Sequence, residues 1–220
     1  MIQEVKENRI IAILRGIEAD KCADTAEALL AGGIGLVEVT FNQKESGRGY
    51  HSTVEGIRDI VQRLGGKMRV GAGTVLTLEQ LRLAYDAGAE YIITPNVDTD
   101  VIKEAGRLGL VTMPGAFTPT EVCQAYGAGA DFVKIFPASA VGPDYFRALK
   151  GPLGHIPLMA VGGVDEENAK AFLDAGAAGL GIGGNLVDRR LVSEGRFDEM
   201  TAIVKGYVER ICQGGKILVH

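Results

Sequence analysis

Short apolar runs alternate along this chain with stretches in which apolar residues recur at helical spacing. Most of the runs are apolar on both faces, which is typical of parallel strands covered by helices. Eight strands are predicted, over residues 10–14, 35–40, 68–73, 90–95, 110–114, 131–137, 156–162 and 178–183. The helical stretches lie over residues 20–31, 52–64, 77–87, 98–108, 118–128, 143–149, 165–175 and 196–211.

Gly/Ala clusters recur where a predicted helix gives way to a strand, and glycine there serves as a left-handed helix C-cap. The clusters occupy residues 31–33, 87–89, 127–130 and 175–177. Eight alternating strand–helix units without a linker predict an α/β fold, a (β/α)8 TIM barrel formed as a single domain over residues 1–220. The alternative is a doubly wound open sheet. It would place Gly-x-Gly-x-x-Gly after the first strand, where the chain has Leu14-Arg15-Gly16-Ile17 instead.

Composition narrows the range of partners. The net charge is −5 with no basic run, which argues against nucleic acid or an anionic membrane surface as a partner.

Three widely spaced cysteines and an N-terminal stretch without a signal-peptide core favour a reducing cytoplasm. No apolar run reaches membrane-spanning length. The three histidines do not cluster at ligand spacing, so we expect neither a metal site nor a cofactor.

One charged residue interrupts the sixth predicted strand. Side chains alternate along a strand, so Lys134 shares a face with Phe132 and Phe136 and lies opposite Val133 and Ile135. An amine in such surroundings loses hydration and its pKa falls, which allows attack on a ketone and formation of a Schiff base. The other interpretation is an edge-strand lysine whose stem reaches out to water.

Further polar residues fall at the ends of the predicted strands, where barrel enzymes have their active sites. Glu38 lies in an otherwise apolar second strand, and Arg15 ends the first. Burial would raise the pKa of Glu38 and suit it to general acid/base catalysis, or it would form a buried ion pair. Arg15 would clamp a substrate carboxylate or form a structural salt bridge.

Two glycine pairs end the last two strands, Gly162-Gly163 and Gly183-Gly184. Backbone N–H groups without side chains can bind phosphate at this position in barrels. The alternative is that both pairs form tight turns.

Seven segments together resemble the class I aldolases that cleave 2-dehydro-3-deoxy-6-phosphogluconate or 2-dehydro-3-deoxy-6-phosphogalactonate, some of which also act on 4-hydroxy-2-oxoglutarate. The resemblance covers about residues 9 to 210. The segments are IAILRG at 11–16, VEVT at 37–40, GAGTVL at 71–76, ITPN at 93–96, MPG at 113–115, VKIFPA at 133–138 and AVGGV at 160–164.

The resemblance implies roles for particular residues. Lys134 corresponds to the Schiff-base lysine and Glu38 to the general acid/base. The substrate-binding residues would be Arg15 and Thr74 at the carboxylate, Pro95 and Phe136 as pocket walls, and Gly162, Gly163, Gly183, Gly184 and Asn185 at the phosphate. The family is typically a homotrimer, and it needs no metal.

The chain departs from the phosphogluconate branch in two places. Asn42 stands where that branch has arginine, and Val161 where it has threonine; both look more like the phosphogalactonate branch. Residues 43–51 form a longer segment than in either branch and include Lys44, Glu45 and Arg48. Asn185 stands where family members often have serine or aspartate. The resemblance therefore leaves the substrate open.

The function predicted is a lyase, a Schiff-base aldolase that cleaves a 2-keto-3-deoxy-6-phospho sugar acid to pyruvate and glyceraldehyde 3-phosphate. Cleavage of 4-hydroxy-2-oxoglutarate to pyruvate and glyoxylate is a further candidate reaction. Two alternatives are a phosphosugar epimerase or isomerase on the same barrel and a non-catalytic phosphosugar-binding barrel. Neither needs an amine in a strand, so borohydride trapping with pyruvate distinguishes both from an aldolase.

Overall fold

The computed structural model describes residues 1–45 and 50–212; Arg48 and His220 lie outside these ranges. The strands are β1 (Ile10–Leu14), β2 (Leu36–Thr40), β3 (Arg69–Gly73), β4 (Tyr91–Ile93), β5 (Val111–Met113), β6 (Gly115–Ala116), β7 (Val133–Ile135), β8 (Leu158–Val161) and β9 (Gly179–Ile182). The helices are α1 (Ile2–Asn8), α2 (Ala19–Ala31), α3 (His51–Leu64), α4 (Leu78–Asp86), α5 (Thr99–Arg107), α6 (Pro119–Gly127), α7 (Gly142–Leu153), α8 (Ala169–Asp174), α9 (Arg189–Ser193) and α10 (Phe197–Cys212).

All of the described strands pair in parallel in one sheet, in the order β5-β4-β3-β2-β1-β9-β8-β7-β6. The two ends of this order, β5 and β6, are consecutive in the chain and are joined through Pro114. Proline cannot donate to a strand ladder, and here its carbonyl oxygen accepts a hydrogen bond from Lys134 N at 2.9 Å. The predicted α/β barrel is therefore confirmed as a nearly closed one. The fifth predicted strand corresponds to β5, and the two-residue β6 that follows Pro114 lies beyond the predicted strand.

The two faces of the strands pack in different clusters. Val133 and Ile135 belong to the large core between strands and helices. Phe132 lies in a second cluster inside the barrel, and Phe136 packs against it. Lys134 therefore faces the barrel interior, on the side that alternation along the strand predicts.

Threonine side chains cap the starts of α4 and α6. Thr77 caps α4 by accepting a hydrogen bond from Gln80 N at 3.1 Å, but the Gln80 side chain bonds Leu76 N rather than Thr77 N. The reciprocal capping box that the Thr77–Gln80 spacing suggests is therefore only half formed. A complete one opens α6, between Thr118 and Glu121.

Two short helices have no counterpart in the sequence pattern, α1 with seven residues and α9 with five. Elements of one or two turns are too short to show helical periodicity. Val5 of α1 lies in the cluster inside the barrel, so this helix adds to the barrel interior. Within residues 1–45 and 50–212, no helix is long and apolar enough to cross a membrane.

Candidate active site

Lys134 projects from β7 into the barrel and is 5% exposed. Its Nζ lies 4.6 Å from the centroid of the Phe136 ring. Burial lowers the pKa of Lys134, and the positive charge of Arg15 lowers it further, while Glu38 opposes the shift. The amine therefore has the surroundings that favour its neutral, nucleophilic form.

Glu38 projects from β2 and is 1% exposed. Its Oε1 accepts a hydrogen bond from Thr40 Oγ1 at 3.1 Å, and its Oε2 is buried without a hydrogen-bond partner among the described residues. Burial raises the pKa of Glu38, although Lys134, Thr40 and Arg15 each act to lower it. A carboxyl group of raised pKa keeps its proton at pH values where an ordinary carboxyl group has lost it, which suits a general acid/base.

The two groups affect each other's pKa through their charges but, within the described part of the chain, form no direct ion pair. A direct ion pair would favour the charged forms of both groups and hold the lysine as an ammonium. Without such a pair, the lysine amine is not held in its charged form by a bound carboxylate.

Glycines in β3 create the space that Glu38 and Tyr91 occupy. A β-carbon on residue 71 would overlap the Tyr91 ring, and one on residue 73 would overlap Oε1 of Glu38. The Tyr91 hydroxyl donates a hydrogen bond to Val37 O at 2.6 Å, which fixes the ring against β2, the strand that carries Glu38. In the sequence, these glycines are visible only as part of the GAGTVL motif.

Eight of the eleven predicted site residues line one cavity of about 390 Å³ at the carboxyl ends of the strands. Arg15, Lys134 and Phe136 form one part of its wall. The remainder of the eight are Gly162, Gly163, Gly183, Gly184 and Asn185, from the loops that follow β8 and β9. A ligand in this cavity would thus meet a guanidinium and an amine on some walls and bare backbone on others.

Different constraints explain glycine at Gly162-Gly163 and at Gly183-Gly184. Gly162 and Gly163 have φ angles of +91° and +72°, which side chains rarely allow, so a turn alone accounts for them. Gly183 and Gly184 have no positive φ, and a β-carbon on Gly184 would meet no described atom within 4 Å. The fold of the described chain gives no reason for glycine at residue 184, whereas close approach of a ligand would.

Backbone N–H groups cluster at this end of the cavity. Among the described residues, those of Gly163, Val164, Gly184 and Asn185 donate no hydrogen bond within the chain. The side-chain amide of Asn185 donates to Val164 O at 3.0 Å, so Asn185 ties the two loops together. An anion could accept several hydrogen bonds here.

The other three predicted residues lie outside the lining of this cavity. Glu38 lies in the barrel interior, and Pro95 follows β4, where it packs closely against the backbone of Gly115. Thr74 follows β3 with a left-handed φ of +56°. Such a conformation in a β-branched residue costs about 1–3 kcal/mol and occurs mainly at functional sites.

A second cavity of about 380 Å³ includes Lys6, Arg9, Lys150 and His155 in its lining. Lys6 and Lys150 lie in the last turns of α1 and α7, where cations complement the partial negative charge of a helix end. Helix dipoles thus account for these charges without a ligand. No group of three or more His, Cys, Asp or Glu able to hold a metal ion occurs in the described ranges.

An α/β barrel with a buried amine and a buried carboxyl group at its carboxyl rim defines a class of barrel enzymes that act on carbonyl compounds. Comparison with known proteins is more specific. The family model for the KDPG and KHG aldolases matches residues 1–203. The chain belongs to the KDPG and KHG aldolase family; it is an aldolase, and hence a lyase.

Two relatives and one solved structure illustrate the similarity. The 2-dehydro-3-deoxy-6-phosphogalactonate aldolase of Escherichia coli (strain K12) is 39% identical over 203 residues, 92% of this chain and 96% of that protein. The 2-dehydro-3-deoxy-phosphogluconate aldolase of Haemophilus influenzae is 27% identical over 96% of both chains. A native KDPGal structure, 39% identical, superposes with a TM-score of 0.80 over 92% of this chain and 95% of the other.

Proposed function

We propose that Lys134 of this aldolase forms a Schiff base with the C2 ketone of a 2-keto-3-deoxy-6-phospho sugar acid. The products are pyruvate and glyceraldehyde 3-phosphate. The observation that carries the proposal is the interior position of Lys134, where burial lowers its pKa beside a carboxyl group of raised pKa. An epimerase or a binding module on the same barrel would have no use for this pair.

The reaction follows from the chemistry of these two groups. The neutral amine of Lys134 attacks the ketone, and Glu38 transfers protons as the carbinolamine forms and loses water. The resulting iminium accepts electrons, so the C3–C4 bond breaks when the C4 hydroxyl is deprotonated. The aldehyde leaves, and the remaining enamine is protonated and hydrolysed, which releases pyruvate and the free amine.

The remaining predicted residues would hold the two ends of the substrate. Arg15 is exposed at the cavity wall and enters no ion pair among the described residues, so its guanidinium is available to the substrate carboxylate together with Thr74. Pro95 and Phe136 would enclose the carbon chain. The N–H groups near Gly163 and Gly184 would donate hydrogen bonds to the phosphate, with Asn185 holding their loops together.

Within this proposal, the phosphogalactonate epimer is the favoured substrate. Asn42 and Val161 match the phosphogalactonate branch, and the relative named for that substrate is 39% identical, against 27% for one named for phosphogluconate. Steady-state kinetics on the two epimeric phosphates and on 4-hydroxy-2-oxoglutarate test it. We expect kcat/KM to be highest for the galactonate epimer and over about tenfold lower for the unphosphorylated acid. Equal efficiency on the phosphorylated and unphosphorylated acids would contradict the phosphate site.

We further propose that the chain acts as a homotrimer in the cytoplasm, as one domain over residues 1–220. The trimer rests on the family resemblance, and the location on the pattern of cysteines. Light scattering should give a mass of three times 23.2 kDa. A monomer at working concentration would contradict the trimer and leave the chemistry unaffected.

A further inference from the structure

Gln80 is a fully buried polar side chain, 0% exposed, in the first turn of α4. Its Oε1 accepts a hydrogen bond from Leu76 N at 2.6 Å, and its Nε2 donates to Gln43 Oε1 at 2.9 Å. A carboxamide is suited to this position because it offers an acceptor and a donor at once. A capping role alone would require only a bond back to the N-cap residue, Thr77.

Gln43 extends the connection to Thr74. Its Nε2 donates a hydrogen bond to Thr74 O at 2.9 Å, across 31 positions of sequence. Two residues before Gln43, Phe41 N donates to the preceding carbonyl, Gly73 O, also at 2.9 Å. The segment that follows β2 therefore holds two successive carbonyl groups at the end of β3.

The conformation of Thr74 needs such support. Its φ of +56° is one that a β-branched residue adopts only when the surrounding structure imposes it. The bond from Gln43 holds the Thr74 carbonyl, and the bond to Gln80 holds the N–H of Leu76 two residues later. The two glutamines thus fix both sides of the turn, next to Gly73, over which the carboxylate of Glu38 lies.

We propose that Gln43 and Gln80 are positioning residues, which hold Thr74 in its left-handed conformation and so orient it toward the substrate carboxylate. The inference rests on the role of Thr74 in the proposed function. It adds a hydrogen-bonded connection, made by two side-chain amides, between the segment after β2 and the end of the site that would bind the pyruvate carboxylate. Neither glutamine touches the reacting atoms.

The test uses the full chain and measures borohydride trapping of pyruvate against pyruvate concentration. Gln43 is exposed, so Gln43→Ala should fold normally. We expect its half-saturating pyruvate concentration to rise about fivefold, the effect of one lost hydrogen bond, with the trapping rate at saturating pyruvate unchanged. Gln43→Glu keeps the size of the side chain but has no N–H to donate, so it should show the same rise as Gln43→Ala. In a Thr74→Ala background, Gln43→Ala should add little.

Thr201→Ala is the control. It removes a side-chain hydrogen bond of 3.1 Å to Ala28 O between outer helices, and it should leave the half-saturating concentration unchanged. A comparable rise in this control would overturn the inference, because a general destabilisation of the fold would then explain the rise in both variants. If Thr74→Ala weakens pyruvate binding but neither Gln43 variant does, the positioning role is wrong and Thr74 keeps its proposed function. If Thr74→Ala itself has no effect, the assignment of Thr74 fails and the positioning role of the glutamines fails with it.

Discussion

Gly73 and Glu38 occupy neighbouring strands, and the absence of a side chain on one makes room for the other. A β-carbon on residue 73 would overlap Oε1 of Glu38. The position of the buried carboxylate therefore depends on a glycine that takes no part in the chemistry. Small residues in barrel strands can in this way decide which charged groups the interior accommodates.

Gly73→Ala should displace Glu38 and strain the interior, since β3 is paired on both sides and cannot retreat. We expect a loss of about 1–3 kcal/mol in unfolding free energy, typical of overpacking, together with reduced turnover. Gly106→Ala is the matched control, because a β-carbon there meets no described atom within 4 Å and the residue is helical. Denaturant unfolding and steady-state kinetics compare the two. Full activity in Gly73→Ala would show that Glu38 need not hold its observed position.

Borohydride and pyruvate should add one covalent adduct, at Lys134. Because burial lowers the pKa of this amine, the initial rate of imine formation should rise with pH and level off below 10.5, the ordinary value for lysine. Lys134→Arg should fold and form no adduct, since a guanidinium does not become a free nucleophile. Peptide mass mapping locates the adduct. Its appearance on Lys150 or Lys103 would refute the assignment.

Glu38→Gln should keep the fold and slow turnover by about 10²-fold or more, the range for loss of a general acid/base. Trapping of pyruvate should also slow. Near-normal turnover in this variant would mean that the carboxyl group has a purely structural role.

The same variant should change how stability depends on pH. Burial raises the pKa of Glu38 in the folded chain above 4.5, its ordinary value in the unfolded chain. At a pH between the unfolded-state pKa and the folded-state pKa, the folded wild-type chain holds a proton that the unfolded chain has lost. Wild-type stability therefore falls as pH rises through this window, and the variant lacks this loss. The unfolding free energy of Glu38→Gln relative to wild type should thus increase with pH above 4.5. Denaturant unfolding at a series of pH values measures it, and a parallel pair of curves would argue against a raised pKa.

Gly184→Ala should raise KM for phosphorylated substrates and spare pyruvate trapping. Its β-carbon would meet no described atom within 4 Å and its φ is not left-handed, so the fold should tolerate it. Gly163 is less informative as a target, because its φ is +72° and a β-carbon there would overlap the Ser139 side chain, so any substitution would be disruptive. Gly127→Ala, another site with open space, serves as the control. Unchanged KM for the phosphates in Gly184→Ala would remove the case for a phosphate site at this loop.

A chelator should leave activity unchanged. The reaction as proposed draws its electron sink from the lysine iminium and its proton transfers from Glu38, so it assigns no step to a metal ion. Kinetics after dialysis against EDTA measure this. A loss of activity that a divalent ion restores would overturn the mechanism.

Local geometry explains why much of the barrel could be predicted from the sequence. Alternation along a strand is set by the backbone, so the face that Lys134 shares with Phe132 and Phe136 could be predicted before any neighbour was known. Glycines before strands mark the boundaries of the strand–helix units, and polar residues at strand ends mark the carboxyl rim of the barrel. Both signals are local in the sequence. The motifs that carry the family resemblance are likewise local, and five of the site residues within them line one cavity: Arg15, Lys134, Phe136, Gly162 and Gly163.

Contacts between distant segments depended on the tertiary structure. The separate strand β6 after Pro114 depends on its pairing with β7, whereas β5 pairs with β4. The match of Gly73 to Glu38 depends on strand register, and the bond from Gln43 to Thr74 spans 31 positions. Sequence periodicity reports which way a side chain faces, because that is decided within a few residues. It does not report what the side chain meets there, because packing partners are brought together only by the closure of the whole sheet.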